Sequence, residues 1–437
     1  MSAETWEKGA GNPWALLPFG VFLSIFLGSG IIFGDFGAMP AIVAFLIALL
    51  VAFLQNHKLK FMDKMSVMAK GVGDVNILLM CLIFLCAGAF SGAVTAAGGV
   101  ESTVNFGLSI MPAGLAVAGL FIISCFISIS MGTSVGTIGA LAPIAIGISV
   151  KTGLPAPLCV ATVVGGAMFG DNLSIISDTT IAAVNTQRCG MRDKFRENFK
   201  IVLPAAVLTI IILLLITGSS DAVITEDLSY NIFKVLPYLL VLIGALVGIN
   251  VFIVLIGGTV LSLIVGVTTG SIALNQMFTA VGNGIYGMYD ITVISIVVVC
   301  ILSLVKTNGG IQWVLDWIKQ RIKSQKGAEF GIAGLAFGVD LCSANNTVTI
   351  VTAGPIAKEI ADEYGVDAKR SASLLDIFSA AAQGLIPYGA QLLAAAGLTG
   401  LTPYMIMPYL FYPILMAVSA LVFILFRKRS PAKDKQV

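Results

Sequence analysis

The sequence predicts an all-α polytopic membrane protein built as an inverted-topology repeat. It should have about ten transmembrane helices plus two re-entrant hairpins that carry broken helices. Three observations predict this: apolar composition, a pattern of glycines and prolines that recurs once, and basic charge that does not recur with it. Of the 437 residues, 57% are hydrophobic and 11% charged, and the mean hydropathy is +0.98. Apolar runs such as Ala41–Leu54, Ile77–Ala97, Leu203–Thr217 and Leu239–Ile256 recur along the chain. Runs of roughly 20 apolar residues cross a bilayer, and a soluble domain does not read this way.

Sliding the chain along itself exposes the repeat. Gly71 and Gly73 fall on Gly282 and Gly284, and Gly98-Gly99 fall on Gly309-Gly310. After a one-residue slip, Ala142-Pro143-Ile144-Ala145 fall on Gly354-Pro355-Ile356-Ala357, and Gly153 falls on Gly365. The charges behave differently. Lys58, Lys60 and Lys64 stand opposite the uncharged stretch 269–275. Lys306, Lys319, Arg321, Lys323 and Lys326 stand opposite 95–115, whose only charge is Glu101. Arg188, Arg192, Lys194, Arg196 and Lys200 stand opposite 400–412, again uncharged. Lys and Arg in short loops stay on the cytoplasmic side, so matching loops of opposite charge belong on opposite faces.

The first half is expected over 15–217 and the second over 236–426, joined by an external linker at 218–235 that holds Asp221, Glu226 and Asp227. The basic tail 427–437, with Arg427-Lys428-Arg429, is expected in the cytoplasm together with the amino terminus. Ahead of Pro18, the acidic residues Glu4 and Glu7 do not suit the basic region of a signal peptide. The net charge of +2 comes from cytoplasmic loops and the tail, so it speaks of topology and not of nucleic acid. The seven cysteines lie mostly in apolar runs and read as small buried thiols. His57, the only histidine, sits in a charged loop, which excludes histidine metal sites and histidine acid–base catalysis. No enzyme and no cofactor are expected; the partners are membrane lipid and small ions.

Four polar, glycine-rich interruptions break the apolar segments: 128–137, 170–180, 340–349 and 383–391. Irregular backbone at membrane depth survives only against protein or a watery cavity, and paired interruptions point to a binding site. The repeat places Ser134 on Asn346, Thr137 on Thr349, Asp178 on Ala390 and Thr179 on Gln391. The four breaks thus form two related pairs that should converge near the midplane. Of the two interrupted segments in each half, parity has one spanning and the other re-entering, without deciding which. Hydroxyl, amide and carbonyl oxygens suit a hard cation such as Na+.

The candidate ion- or substrate-binding residues are Thr133, Ser134, Thr137, Asp171, Asn172, Ser174, Ser177, Asp178, Thr179, Asp340, Asn345, Asn346, Thr349, Asp376, Gln383, Tyr388 and Gln391. Na+ is expected at Ser134, Thr137, Asp178 and Asn346, and Asp178 and Asp171 are the candidate proton carriers. Carboxylates in hydrocarbon surroundings are expensive and default to function. Removal from water favours their protonated form, so one carboxylate can hold a proton or a sodium ion, but not both.

The block Gly170-Asp171-Asn172-Leu173-Ser174-Ile175-Ile176-Ser177-Asp178-Thr179-Thr180 resembles the signature of the NhaC-type Na+/H+ antiporter family. So do Gly132-Thr133-Ser134-Val135-Gly136-Thr137, followed by Pro143, and Ile386-Pro387-Tyr388-Gly389-Ala390-Gln391. One departure is Ile175, where the family's pattern leads one to expect proline. The resemblance implies an ion-coupled carrier of the prokaryotic cytoplasmic (inner) membrane, built on inverted repeats and homodimeric. It implies Na+/H+ antiport first, with Na+-coupled transport of an amino acid or small organic acid as the alternative. The sequence shows no obvious buried arginine to clamp an organic anion, whereas helix amino termini could do so without one. A channel fits paired breaks poorly, because such breaks suit alternating access.

Overall fold

The structure, a computed structural model, describes residues 11–33, 39–110, 112–175, 177–218, 228–247 and 249–426. Linker residues 219–227 and the tail 427–437 lie outside the described residues. Among the described residues the chain is helical, with no strand. The first half contributes α1 (Leu17–Phe33), α2 (Ala41–Leu54), α3 (Phe61–Val72), α4 (Val75–Ala96) and α5 (Gly99–Ile110). It continues with α6 (Ala113–Met131), α7 (Ser134–Thr152), α8 (Ala156–Leu173), α9 (Asp178–Gln187) and α10 (Met191–Gly218). The second half opens with α11 (Ile232–Leu246), α12 (Val251–Thr268), α13 (Met277–Tyr286), α14 (Tyr289–Thr307) and α15 (Gly310–Lys319). It closes with α16 (Gln325–Ser343), α17 (Asn346–Tyr364), α18 (Ala368–Leu385), α19 (Ala390–Thr399), α20 (Pro403–Ile406) and α21 (Phe411–Phe426).

Among the described residues, six stretches are long and apolar enough to cross a membrane: Ile77–Ala96, Gly114–Met131, Ser134–Thr152, Ala156–Gln187, Met191–Gly218 and Val251–Thr268. A bent pair, Ala368–Thr399 with Pro403–Tyr409 at 103°, makes up to seven. Shorter apolar helices run over Pro13–Phe26, Ile42–Leu54, Ile232–Gly244, Thr292–Thr307 and Phe411–Phe426.

The breaks have local causes that recur. α6 ends at Gly132 in the left-handed region (φ 68°), and α7 starts from Thr133, whose hydroxyl accepts the Gly136 amide. α16 ends at Ala344 (φ 50°), and α17 starts from Asn345, whose side chain accepts the Val348 amide. A left-handed residue followed by a side-chain cap stops one helix and starts the next within two residues. Pro143 and Pro355 sit inside α7 and α17, which end on the left-handed Gly153 and Gly365. α8 and α18 both run out into extended backbone, at Ser174 and Ile386.

α8 and α18 form the centre. Every residue of α8 from Leu158 to Gly170 is buried, and so is every residue of α18 from Arg370 to Gly384. α8 lies close against α6 because of its glycines: a Cβ at Gly170 would sit 2.5 Å from the Cys125 carbonyl oxygen and 2.6 Å from the Ile129 nitrogen. The halves interlock. α9 packs on α17 and α18, α10 on α18 and α21, α7 on α19, and α4 on α12 and α13.

Two groups of basic residues expected in solvated loops are placed otherwise. Lys64 is buried, and its ammonium donates to the Phe53 and Gln55 carbonyls, closing the carboxyl end of α2. Lys194 lies in the first turn of α10, wholly enclosed. Glu101 belongs to α5 and pairs with Lys151 at 3.7 Å.

Candidate cation site

The end of α8 and the start of α7 meet at Asp171. Its Oδ2 accepts from the Ser134 amide (3.2 Å) and hydroxyl (2.8 Å), and its Oδ1 accepts from the Ser177 hydroxyl at 2.6 Å. The Ser134 hydroxyl accepts in turn from Gln391 Nε2 at 3.1 Å. Gln391 Nε2 also donates to Gln383 Oε1 at 3.1 Å, and Gln383 Nε2 donates to the Ala344 carbonyl at 2.9 Å. One polar relay therefore runs from the breaks of the first half into both breaks of the second. Beside it, the Ser177 and Thr179 hydroxyls share a hydrogen bond at 2.9 Å. Asp178 accepts from its own helix at Thr179 N (3.0 Å) and from the Thr347 hydroxyl of α17 (2.8 Å).

A second carboxylate, Asp340, is wholly enclosed at the end of α16. Its Oδ1 accepts from the Thr349 hydroxyl at 3.0 Å, which also pairs with the Ser343 hydroxyl at 2.6 Å. Its Oδ2 accepts no hydrogen bond among the described residues, and neither do Asn346 Oδ1 and Gln391 Oε1. Buried oxygens left without donors are costly. Carboxylate and amide oxygens of this kind suit a hard cation. The Tyr388 hydroxyl donates to the Leu341 carbonyl at 2.6 Å, and Tyr388, Ser295, Ser343 and Asn345 line a small crevice.

Asp376, halfway along α18, faces a different group. Its Oδ2 accepts from Lys194 Nζ at 2.6 Å and from Asn198 Nδ2 at 2.9 Å. Lys194 Nζ also donates to the Thr180 hydroxyl (2.7 Å) and the Asn172 carbonyl (3.1 Å), which accepts from Asn198 at 3.0 Å as well. The Lys194 and Asp376 side chains are each 1% exposed.

The expectation of no buried arginine fails. Arg370 on α18 is fully enclosed, with Nη2 3.2 Å from Glu329 and Nη1 3.6 Å from Glu197. Its guanidinium lies over the Phe423 ring at 4.5 Å. Two glutamates thus neutralise this guanidinium, which could otherwise have clamped an anion.

Of the sequence-derived candidates, Ser134, Asp171, Ser177, Thr179, Gln383 and Gln391 join one network, Asp178 touches the second half through Thr347, and Asp340 and Thr349 form a pair. Thr133 and Asn345 serve as helix caps, and Thr137 bonds back to the Thr133 carbonyl at 2.9 Å. Asn172 points its amide at Met416 Sδ (3.1 Å) and reaches Lys194 only through its carbonyl. Ser174 is buried at the end of α8. Sequence reasoning missed Thr180, Lys194, Asn198, Ser343 and Thr347. A signal existed for two of them: Lys194, Asn198, Ile201, Ala205 and Thr209 recur at helical spacing, and all are buried.

The chain is similar to known transport proteins. The profile of the Na+/H+ antiporter family matches residues 13–219 and again 220–427. The malate-2H+/Na+-lactate antiporter of Bacillus subtilis is 22% identical over 93% of this chain and 93% of its own. The Na+/H+ antiporter NhaC of Alkalihalophilus pseudofirmus is 24% identical over 95% of this chain and 96% of its own. Among solved structures, the YdaH transporter of Alcanivorax borkumensis aligns with a TM-score of 0.46 at 12% identity, covering 88% of this chain and 97% of its own. With its profile matched across both halves, the chain belongs to the Na+/H+ antiporter family.

Proposed function

We propose that the protein is a secondary active transporter that exchanges Na+ for H+ by alternating access across a prokaryotic cytoplasmic membrane. One observation carries the choice of a cation: at three of the four breaks the helix amino terminus already holds an acceptor of the protein's own, α19 being the exception. Asp171 takes the Ser134 amide of α7, Asn345 takes the Val348 amide of α17, and Asp178 takes the Thr179 amide of its own helix. Helix amino termini are where an organic carboxylate would dock without arginine, and Arg370 is held by Glu197 and Glu329. Acidic and amide oxygens remain, and these favour a cation.

Matched breaks, and a family profile that fits each half once, support the inverted repeat over 15–217 and 236–426. The long and short apolar helices supply its ten or so crossings and two hairpins. The external linker, cytoplasmic termini and homodimer complete this reading, with Na+ and H+ as the transported ions. The second reading is Na+-coupled exchange of an amino acid or small organic acid, the kind of solute that one relative carries. The malate-2H+/Na+-lactate antiporter is among the relatives.

Reconstitution separates the two. Proteoliposomes holding only a pH gradient should take up labelled sodium with no organic solute present. Uptake that begins only when malate, lactate or an amino acid is added would replace antiport by the second reading.

A further inference from the structure

We propose that the face carrying Trp14, Lys58, Lys306, Trp317 and Arg321 binds an anionic phospholipid of the cytoplasmic leaflet. The proposal rests on the membrane topology given above and is independent of the transported ion.

Three segments distant in sequence meet at this end of the molecule. Asn56 Nδ2 donates to Asn308 Oδ1 at 3.0 Å, the Asn12 amide donates to the Gly309 carbonyl at 3.1 Å, and Gln55 Nε2 donates to the Trp14 carbonyl at 2.7 Å. The loops before α3 and α15 and the turn Pro13–Leu16 therefore form one surface. Lys58 and Lys306 flank their junction, and both are exposed. Trp14 is 74% exposed, and α3 turns Phe61, Met62 and Met65 outward while burying Lys64 and Met68. A basic helix with one apolar face lies between headgroups and acyl chains, and exposed tryptophans mark the same depth.

Arg321 supplies the headgroup chemistry. Its guanidinium stacks on the Trp317 ring at 3.7 Å, and Nη1 donates to the Trp317 carbonyl at 2.9 Å. Held on an exposed ring in this way, the planar fork keeps further N–H donors for a phosphate. The acidic groups nearby have partners: Asp63 accepts from the Lys60 amide at 3.3 Å, and Asp316 accepts from Gln312 at 2.8 Å.

The repeat provides an internal control. α5, the counterpart of α15, holds Glu101 but no tryptophan, lysine or arginine, and residues 269–275 opposite Lys58 are uncharged. α13, the counterpart of α3, still turns Phe278 and Tyr286 outward. Apolar helices are thus exposed in both places, whereas the cations and tryptophans gather in one. Of the chain's four tryptophans, Trp14, Trp313 and Trp317 belong to this surface, and Trp6 lies outside the described residues. Orientation in the membrane requires Lys and Arg in such loops; it does not require a guanidinium stacked on tryptophan. That combination matches an anionic headgroup with its acyl chains.

The test reads tryptophan fluorescence of the full-length Trp6→Phe protein in phosphatidylcholine nanodiscs, so that all tryptophan emission comes from this face. A fixed share of the lipid is replaced by phosphatidylglycerol or phosphatidylcholine with brominated acyl chains, which quench tryptophan on contact. Brominated phosphatidylglycerol should quench about twofold more strongly than brominated phosphatidylcholine at the same share. Lys58→Gln, Lys306→Gln and Arg321→Gln together should equalise the two lipids while both still quench, since the tryptophans stay in the interface. Equal quenching before these three substitutions overturns the proposal, and so does a preference that survives them. Quenching by neither lipid also overturns it, and means that a second copy of the chain covers the face. Fluorescence is read without transport, so none of these outcomes depends on which solute is carried.

Discussion

Thr347, one residue past the start of α17, donates its hydroxyl to Asp178 Oδ2 at 2.8 Å and so joins the two halves at a carboxylate. Replacing Thr347 with valine keeps the shape and removes the donor. The loss of one partly exposed hydrogen bond to a carboxylate is worth about 1 kcal/mol. Sodium-dependent transport by the Thr347→Val protein should therefore show a half-saturating sodium concentration raised about fivefold, measured in proteoliposomes. An unchanged value would mean that this contact plays no part in ion binding.

Gly170 is the point where α8 can least tolerate a side chain. A methyl there would meet the Cys125 carbonyl and the Ile129 nitrogen, backbone atoms that cannot swing aside. Gly170→Ala should lower thermal stability by about 1–3 kcal/mol and displace the neighbouring Asp171 from Ser134. The expected readout is a lower melting temperature together with lost sodium flux. A protein that keeps both would show that α6 and α8 have room to separate.

Ala344 adopts a left-handed conformation (φ 50°) where its counterpart in the first half is glycine. That geometry costs a residue with a Cβ roughly 1–2 kcal/mol. Ala344→Gly removes the strain but frees the unfolded chain, so the net gain should be under about 1 kcal/mol. Thermal unfolding in detergent should show a small upward shift, and a downward shift would mean that the alanine methyl contributes packing beyond the strain it carries.

Arg370→Met should destabilise the protein by about 3–5 kcal/mol, since it strands two buried glutamates. Replacing Glu197 and Glu329 with glutamine at the same time should recover most of that loss. Melting temperatures of the single and triple variants measure the difference. Equal stability of the two would remove the Arg370 cluster as a tie between α10, α16 and α18.

The sequence carried the helical class and the four breaks because both are written locally. Apolar runs set the helices, and Gly132-Thr133 and Asn345-Asn346 announce their interruptions by composition alone. The repeat led only to the expectation that the breaks converge; the pairs that meet, Ser134 with Gln391 and Asp178 with Thr347, are not matched by the register and come from packing. Lys194, Asn198 and Arg370 escaped because a charged residue beside other charges reads as solvated. The helical spacing of Lys194 and Asn198 with Ile201, Ala205 and Thr209 marks an inward face, and the packing of α10 on α18 supplies what it faces. Asn172 escaped in another way: its side chain meets a methionine, and the atom it contributes is the carbonyl that every residue possesses.

Asp171 and Asn172 are consecutive, yet the first reaches Ser134 with its side chain while the second offers its backbone to Lys194. A single peptide unit is therefore a mechanical joint between two charged centres. Rotation of the last turn of α8 would move both contacts at once.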